Sequence, residues 1–268
     1  MTANEYSSLL KQPLAEIRNH VRAGTYRGQT AGFAPGKLQA NLAILGDGYA
    51  DDFRAFCAAN SQPCPLVGVT APGDPRMPVL GDIDIRTDVP SYNVYRDGVL
   101  DETRHDITAL WQDDMVAFAL GCSFTFERAL IDAGIEMRHI AQNRTVPMYR
   151  TNVALEPVGA FSGTMVVSMR PVPEAQVDLA VSITSAYEHA HGAPLHVGDG
   201  AAIGIEDIGA PDWGETATFQ DGDVPVFWAC GVTPQNVLTA AKPPICITHT
   251  PGRMLVTDWP EDQAPPLS

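Results

Sequence analysis

The chain alternates short, almost continuously apolar runs with segments whose apolar residues recur at helical spacing. Apolar runs bounded by turn residues are typical of buried strands, whereas helical spacing with proline near the start and glycine after the end is typical of helices. The predicted strands are 41–45, 114–120, 164–170, 194–198, 224–229 and 245–249. The predicted helices are 13–23, 49–59, 126–133, 173–187 and 234–241.

This order of elements predicts an α/β fold with a mostly parallel sheet and helices on both faces. Strands that are apolar throughout fit burial on both faces of such a sheet. Residues 224–249 are interpreted as one strand–helix–strand unit. We expect a main α/β domain formed by residues 1–150 together with 216–268, and an inserted smaller α+β domain over residues 151–215.

A short sequence echo relates two of the predicted strand–helix junctions. Phe118 to Thr125 has the sequence FALGCSFT, and Phe227 to Thr233 has the sequence FWACGVT. Each apolar strand therefore ends in Cys-x-x-Thr before a helix, and a helix N-terminus presents backbone N–H groups that favour anions. This similarity of sequence predicts that the two turns face one cleft, and that the cleft binds a small acid. The alternative is two unrelated turns of similar sequence.

Composition and charge narrow the classes of function. The chain of 268 residues has 17 Lys and Arg against 32 Asp and Glu, for a formal net charge of −15. Phosphate binding needs a basic stripe, so we expect no nucleic acid partner. No apolar run approaches the roughly 18 residues of a membrane span, and no basic-then-apolar leader is present. We therefore expect no membrane partner and a cytoplasmic location, and a homo-oligomer is left open.

The cysteines and histidines predict no cofactor and no metal. The five cysteines are an odd number with neither disulfide-framework nor zinc-knuckle spacing, and in a reducing compartment they are expected to be thiols. Three histidines at positions 189, 191 and 196 lie near Asp199 and leave a metal site as an alternative. Glycine and proline between them interrupt the strand that would align their side chains.

Several longer motifs occur between Pro13 and Asp258. They are RxGxYxGQTAGF at 22–33, LQAN at 38–41, DIDIRTDVP at 82–90, GCSF at 121–124, VPMYRTN at 146–152, HGAP at 191–194, FWACGVTPQ at 227–235 and ITHxPG at 247–252. Together they resemble the D-glutamate cyclase family, whose bacterial members are named as hydro-lyases. The resemblance implies a lyase that removes water, and in the best-understood relative D-glutamate closes to 5-oxo-D-proline. The chain departs from the family pattern at 186–190, Thr145, Ser91 and Asn93, so its substrate can differ.

The expected reaction defines the residues that are needed. Lactam closure with loss of water requires a base for the amine, donors for the developing oxyanion and an acid for the departing hydroxide. Cys122, Ser123 and Cys230 are candidate catalytic residues, because N–H groups at a helix start hold anions and lower the pKa of a thiol. His249 and His191 are further candidates, because imidazole exchanges protons near neutral pH.

Candidate substrate-binding residues are arginines, whose guanidinium matches a carboxylate, and the threonines of the two turns. They are Arg138, Arg150, Arg170, Thr125 and Thr233. We therefore expect a small carboxylate or amino acid as substrate, and D-glutamate cyclisation as the reaction. Two alternatives stay open: a non-catalytic module that binds or senses a small carboxylate, and a metal-dependent hydratase.

Overall fold

The computed structural model describes residues 3–266. The helices are α1 Ala3–Leu9, α2 Leu14–Arg22, α3 Asp47–Ala59, α4 Phe124–Asp132, α5 Arg138–Ala141, α6 Val177–Ser185 and α7 Val232–Ala241. The strands are β1 Lys37–Gly46, β2 Leu66–Val69, β3 Tyr92–Arg96, β4 Val99–Arg104, β5 Met115–Gly121, β6 Met148–Ala154, β7 Thr164–Pro173, β8 His196–Val197, β9 Asp223–Ala229, β10 Cys246–His249 and β11 Leu255–Pro260. Short 3-10 turns occur at Pro78–Leu80, Thr108–Leu110, Glu174–Gln176, Glu188–Ala190 and Gly200–Ile203.

The strands of residues 3–266 form two sheets. The larger sheet has the order β2-β5-β1-β10-β3-β4, and β11 pairs with β1 next to the segment that pairs with β10. The smaller sheet has the order β6-β7-β9-β8. Every pairing between these strands is antiparallel. The predicted mostly parallel sheet is therefore wrong, although helices and strands are mixed as expected.

The prediction of a parallel sheet failed for a simple physical reason. A strand that is apolar throughout indicates that both of its faces are buried, but it does not indicate the direction of the strand relative to its neighbours. β5 is buried at all its positions. Phe118 and Leu120 on one face pack towards the smaller sheet together with α3 and α7, whereas Ala117 and Ala119 on the other face are covered by the segment 77–107. A second sheet and a long connecting segment supply the burial that we had assigned to helices on both faces.

The predicted strand–helix–strand unit is also divided between the sheets. β9 lies in the smaller sheet and β10 in the larger one, and α7 connects them. The smaller sheet runs from Met148 to Ala229 and so extends beyond the predicted insertion at both ends. Sheet membership does not by itself set domain boundaries, and the predicted division of the chain into domains stays a prediction.

A side chain of β1 lies between the ends of β5 and β9. Asn41 Nδ2 donates to the carbonyl oxygen of Gly121 at 2.7 Å. The same amide packs on Gly231, where an added Cβ would lie 1.8 Å from Asn41 Nδ2. Gly121 is equally confined, since a Cβ there would lie 1.7 Å from the carbonyl oxygen of His189. The ends of β5 and β9, which precede the two cysteine turns, therefore both pack against the side chain of Asn41.

We predict that Gly231→Ala lowers the free energy of unfolding by about 1–3 kcal/mol, the usual cost of overpacking. The φ angle of Gly231 is −67°, which any residue adopts, so the penalty is steric. Gly48→Ala is the matched control, because nothing lies within 4 Å of a Cβ at that helical position. Urea unfolding of both variants measures the effect, and equal stability of the two would contradict the packing described for Asn41.

Candidate active site

The two Cys-x-x-Thr turns face one cavity at the ends of β5 and β9. The structure brings together four of the five predicted catalytic residues there, namely Cys122, Ser123, Cys230 and His249, with Asn41 beside them. The rest of the lining is apolar or glycine, and consists of Phe124, Val146, Met148, Val232, Gly252 and Met254. The cavity has a volume of about 20 Å³, enough for about one water molecule.

The threonines of the two turns make matching hydrogen bonds. Thr125 Oγ1 accepts from the backbone N–H of Gln39 in β1 at 3.2 Å. Thr233 Oγ1 accepts from the backbone N–H of Val166 in β7 at 3.0 Å. Each hydroxyl therefore ties a helix start to the neighbouring strand. Thr125 and Thr233 were predicted to bind substrate, and the structure gives both hydroxyls backbone partners instead.

The thiols of the turns are buried and protonated at neutral pH. Burial raises the pKa of Cys230 to about 11 and raises that of Cys122 further, against the opposing effect of the backbone N–H groups of Val232 and Phe124. The expectation that the helix N-terminus would lower these pKa values is wrong in net effect, because loss of solvation outweighs the helix N–H groups. Both cysteines therefore carry their protons at neutral pH.

His249 is held in a defined orientation at the cavity. Its Nδ1 accepts from the backbone N–H of Leu42 at 3.1 Å, and Gln235 Nε2 donates to its carbonyl oxygen at 2.9 Å. Since Nδ1 accepts, the neutral ring carries its proton on Nε2. Burial lowers the pKa of His249 to about 4, so the ring is neutral near pH 7.

Ser123 is oriented by the buried guanidinium of Arg170. Arg170 Nη2 donates to Ser123 Oγ at 3.0 Å and to Glu127 Oε1 at 2.5 Å. An arginine side chain can only donate, so Ser123 Oγ accepts and its own hydrogen is left for another partner. Arg170 was predicted to clamp a substrate carboxylate. In the structure its carboxylate partner is Glu127, and it contacts the cavity through Ser123.

Glu127 is a buried carboxylate between the side chains of Arg170 and His139. His139 Nε2 lies 3.0 Å from Glu127 Oε1, although the angle is not that of a hydrogen bond, and Glu127 Oε2 has no hydrogen-bond partner among residues 3–266. Burial raises the pKa of Glu127, but the charges of His139 and Arg170 outweigh it and hold the pKa below its ordinary value. The ionised carboxylate therefore balances the buried charge of Arg170.

The other predicted arginines lie away from the cavity. Arg150 is exposed, forms an ion pair with Asp212 at 2.5 Å and stacks over Trp213 with 4.4 Å between the guanidinium and the ring centroid. Arg138 forms an ion pair with Asp223. Both guanidinium groups are paired with carboxylates of the protein, and their predicted role in substrate binding stays a prediction.

His191 lines a different and larger cavity of about 760 Å³. It is 1% exposed, and its Nδ1 lies 2.8 Å from the carbonyl oxygen of Gln62. Burial lowers its pKa to about 4. The structure therefore separates His191 from the cysteines with which the sequence grouped it.

Sequence reasoning missed Asn41 and Gln235. Asn41 is a polar residue that is buried in β1 together with Gln39, and it is 3% exposed. A polar side chain at such a position needs a partner, which is a signal that could have marked it. Gln235 also follows Cys230 within a conspicuous motif, but its contact with His249 depends on the fold.

Two absences hold for residues 3–266. No three His, Cys, Asp or Glu side chains in that range are grouped so that they could hold a metal ion. Across the same range, none of the helices has the length and apolar character needed to cross a membrane.

The sequence profile of D-glutamate cyclase matches residues 116–258. Relatives named "Putative hydro-lyase" are 57% identical in Jannaschia sp., over 94% of this chain and 96% of the relative, and 56% identical in Dinoroseobacter shibae, over 98% and 88%. A nitrogen repressor-like protein from Methanococcus jannaschii is 9% identical and covers 89% of this chain and 96% of its own, with a TM-score of 0.39. That score supports no conclusion about fold or function.

These sequence relatives place the chain in the class of the lyases. The chain belongs to the D-glutamate cyclase family. This confirms the resemblance that its motifs indicated, and the match covers both cysteine turns and His249.

We predict that Glu127→Ala lowers the free energy of unfolding by about 3–5 kcal/mol, because it leaves the buried charge of Arg170 without its carboxylate. Arg128→Ala is the control, since its ion pair with Asp132 is exposed and is worth at most about 1 kcal/mol. Chemical unfolding monitored by tryptophan fluorescence compares them. A loss no greater for the alanine at 127 than for that at 128 would argue against the buried network.

We also predict a pH-dependent loss of stability from His249. Its pKa is about 4 in the folded protein against 6.5 ordinarily, so its contribution is complete above pH 6.5 and is lost as the pH falls towards 4. The shift corresponds to about 3 kcal/mol. His249→Gln should flatten this part of the stability profile, whereas the control His20→Gln, at an exposed position, should not. Urea unfolding between pH 4 and 8 tests the prediction, and parallel profiles for wild type and His249→Gln would refute it.

Proposed function

We propose that this protein is a hydro-lyase that closes D-glutamate to 5-oxo-D-proline, and that the cavity between the two cysteine turns is its active site. The observation that supports the proposal most directly is the convergence of Cys122, Cys230 and His249 on one cavity from separate strands. The names of the relatives support the elimination of water, and the family profile supports the substrate.

The proposed reaction needs two proton transfers. A bond forms between the amine nitrogen and the side-chain carboxyl carbon, and one carbon–oxygen bond of that carboxyl breaks. Two protons leave the ammonium nitrogen, and both end on the departing oxygen, which leaves as water. Two groups that each give one proton to the oxygen and recover one from the nitrogen satisfy this balance without any other reactant.

Cys122 and Cys230 are suited to that exchange. Both thiols are protonated at neutral pH, so each has a proton to give. The thiolates that form transiently accept the backbone N–H of the residue two positions later, as Cys122 Sγ already does from Phe124 at 3.5 Å. Protons from the substrate nitrogen then restore both thiols, and the pair ends the cycle as it began.

The donors for the developing oxyanion are His249 and Ser123. The neutral imidazole of His249 offers its Nε2–H, and the hydroxyl of Ser123 has a hydrogen to donate because its oxygen accepts from Arg170. Donors already oriented in a site without bulk water stabilise such a charge strongly. Arg170 is thus a positioning residue that acts through Ser123.

The cavity has to enlarge to admit the substrate. Glutamate has about ten non-hydrogen atoms, whereas the cavity of about 20 Å³ holds about one water. Met148 and Met254 line it, and unbranched methionine side chains adapt their shape easily. The proposal therefore includes movement of these side chains on binding. We further propose a cytoplasmic location, which the five free cysteines favour because thiols persist in reducing compartments.

Incubation of the protein with D-glutamate, followed by NMR for 5-oxoproline, tests the proposed function. Cys122→Ala and Cys230→Ala should each lower kcat by about 10²–10⁴-fold, the range for loss of a proton-transfer group. Cys246→Ala is the matched control, because that buried thiol lies in the core between the sheets and should leave kcat within a few-fold of wild type.

Three outcomes would count against the proposal. Saturable binding of D-glutamate without any product would favour a module that binds or senses a small carboxylate. Elimination of water from hydroxy acids, but no reaction of D-glutamate, would keep the class of reaction and replace the substrate. Equal activity of the three alanine variants would remove the two cysteines from the chemistry.

A further inference from the structure

The larger cavity carries two charged side chains in a mostly apolar lining and is separate from the cysteine turns. Its volume of about 760 Å³ lies within the roughly 300–1,000 Å³ typical of small-molecule sites. It lies between α3 and the segments 61–66 and 185–193, and none of its lining residues belongs to the cavity with Cys122. The two cavities are nevertheless neighbours, because Pro65 in its wall accepts the N–H of Gly121, the residue before Cys122.

Two opposite charges line this cavity without a protein partner. Arg54 on α3 forms no ion pair or hydrogen bond through its guanidinium to any residue of the range 3–266, and its guanidinium lies over the ring of Phe118, 6.0 Å from the ring centroid. Glu188 likewise forms no ion pair or side-chain hydrogen bond within that range. Elsewhere in the protein, arginines such as Arg138 and Arg150 are paired with carboxylates.

His191 lies in the same wall, with its unpaired ring nitrogen buried beneath the surface. A carbonyl oxygen only accepts, so the 2.8 Å contact with Gln62 places the ring proton on Nδ1 of His191. Nε2 is then a bare acceptor, and it has no hydrogen-bond partner among residues 3–266 although it is buried. His191 is 1% exposed and has a left-handed φ of 79°, so its position is enforced by the surrounding structure.

The two unpaired charges define the chemistry of a ligand. A guanidinium matches a carboxylate, and a carboxylate matches an ammonium group. We propose that this cavity binds an α-amino acid in its zwitterionic form, with its carboxylate on Arg54 and its ammonium group on Glu188. The site is additional to the proposed active site and does not depend on the proposed reaction.

Norvaline is the probe for this proposal, because it carries the zwitterion and has no side-chain carboxyl group to cyclise. We expect saturable binding of norvaline to the wild-type protein by isothermal titration calorimetry. Pentanoate lacks the ammonium group and butylamine lacks the carboxylate, so each should bind at least about tenfold more weakly, as expected when a charged hydrogen-bonding group is lost.

Arg54→Ala and Glu188→Gln should each raise the Kd of norvaline at least about tenfold. Both positions are exposed, so neither substitution threatens folding. Arg76→Ala, at an exposed arginine paired with Asp74, is the control and should leave the Kd unchanged. Absence of saturable binding would overturn the proposal, and so would binding that persists unchanged in both cavity variants. Because norvaline cannot be cyclised, either result is independent of whether D-glutamate is converted.

Discussion

The contact of Asn41 with both cysteine turns is the constraint on which the candidate active site depends. The amide donates to Gly121 at the end of β5 and packs on Gly231 after β9, so one side chain of β1 sets how closely the two strand ends approach. A polar side chain inside a sheet has to be satisfied there, because an unpaired amide is costly to bury. Satisfying it brings the two thiols to one cavity.

Burial sets the chemistry of that cavity. Loss of solvation disfavours every charged form, so it raises the pKa of the thiols and lowers that of His249. Neutral donors therefore surround the site, and the nearby ion pair of Arg170 with Glu127 contacts the site through Ser123. A site of this kind suits a reaction in which protons move from one substrate atom to another and no net charge is gained.

Several features of the fold and site were predictable from the sequence, and others carried signals that we overlooked. Most long helices and central strands lie near their predicted positions, because their apolar spacing is strong. The hairpin β3–β4 was missed, although Asp97-Gly98 is a favoured two-residue turn and both residues have positive φ. β4 is largely exposed, so it lacks the apolar pattern of a buried strand. The carboxylate partners of the arginines were not predictable, because sequence does not show which carboxylate each guanidinium meets.

By itself, the sequence determined the family, the matched Cys-x-x-Thr turns and the residue types that proton transfer needs, because these are properties of local order along the chain. Only the tertiary structure decided the strand directions, the pairing of Arg170 with Glu127, the separation of His191 from the cysteines and the raised thiol pKa values. Each of these depends on which distant segments are neighbours and on how much water they exclude. No pattern within a short stretch of sequence specifies either quantity.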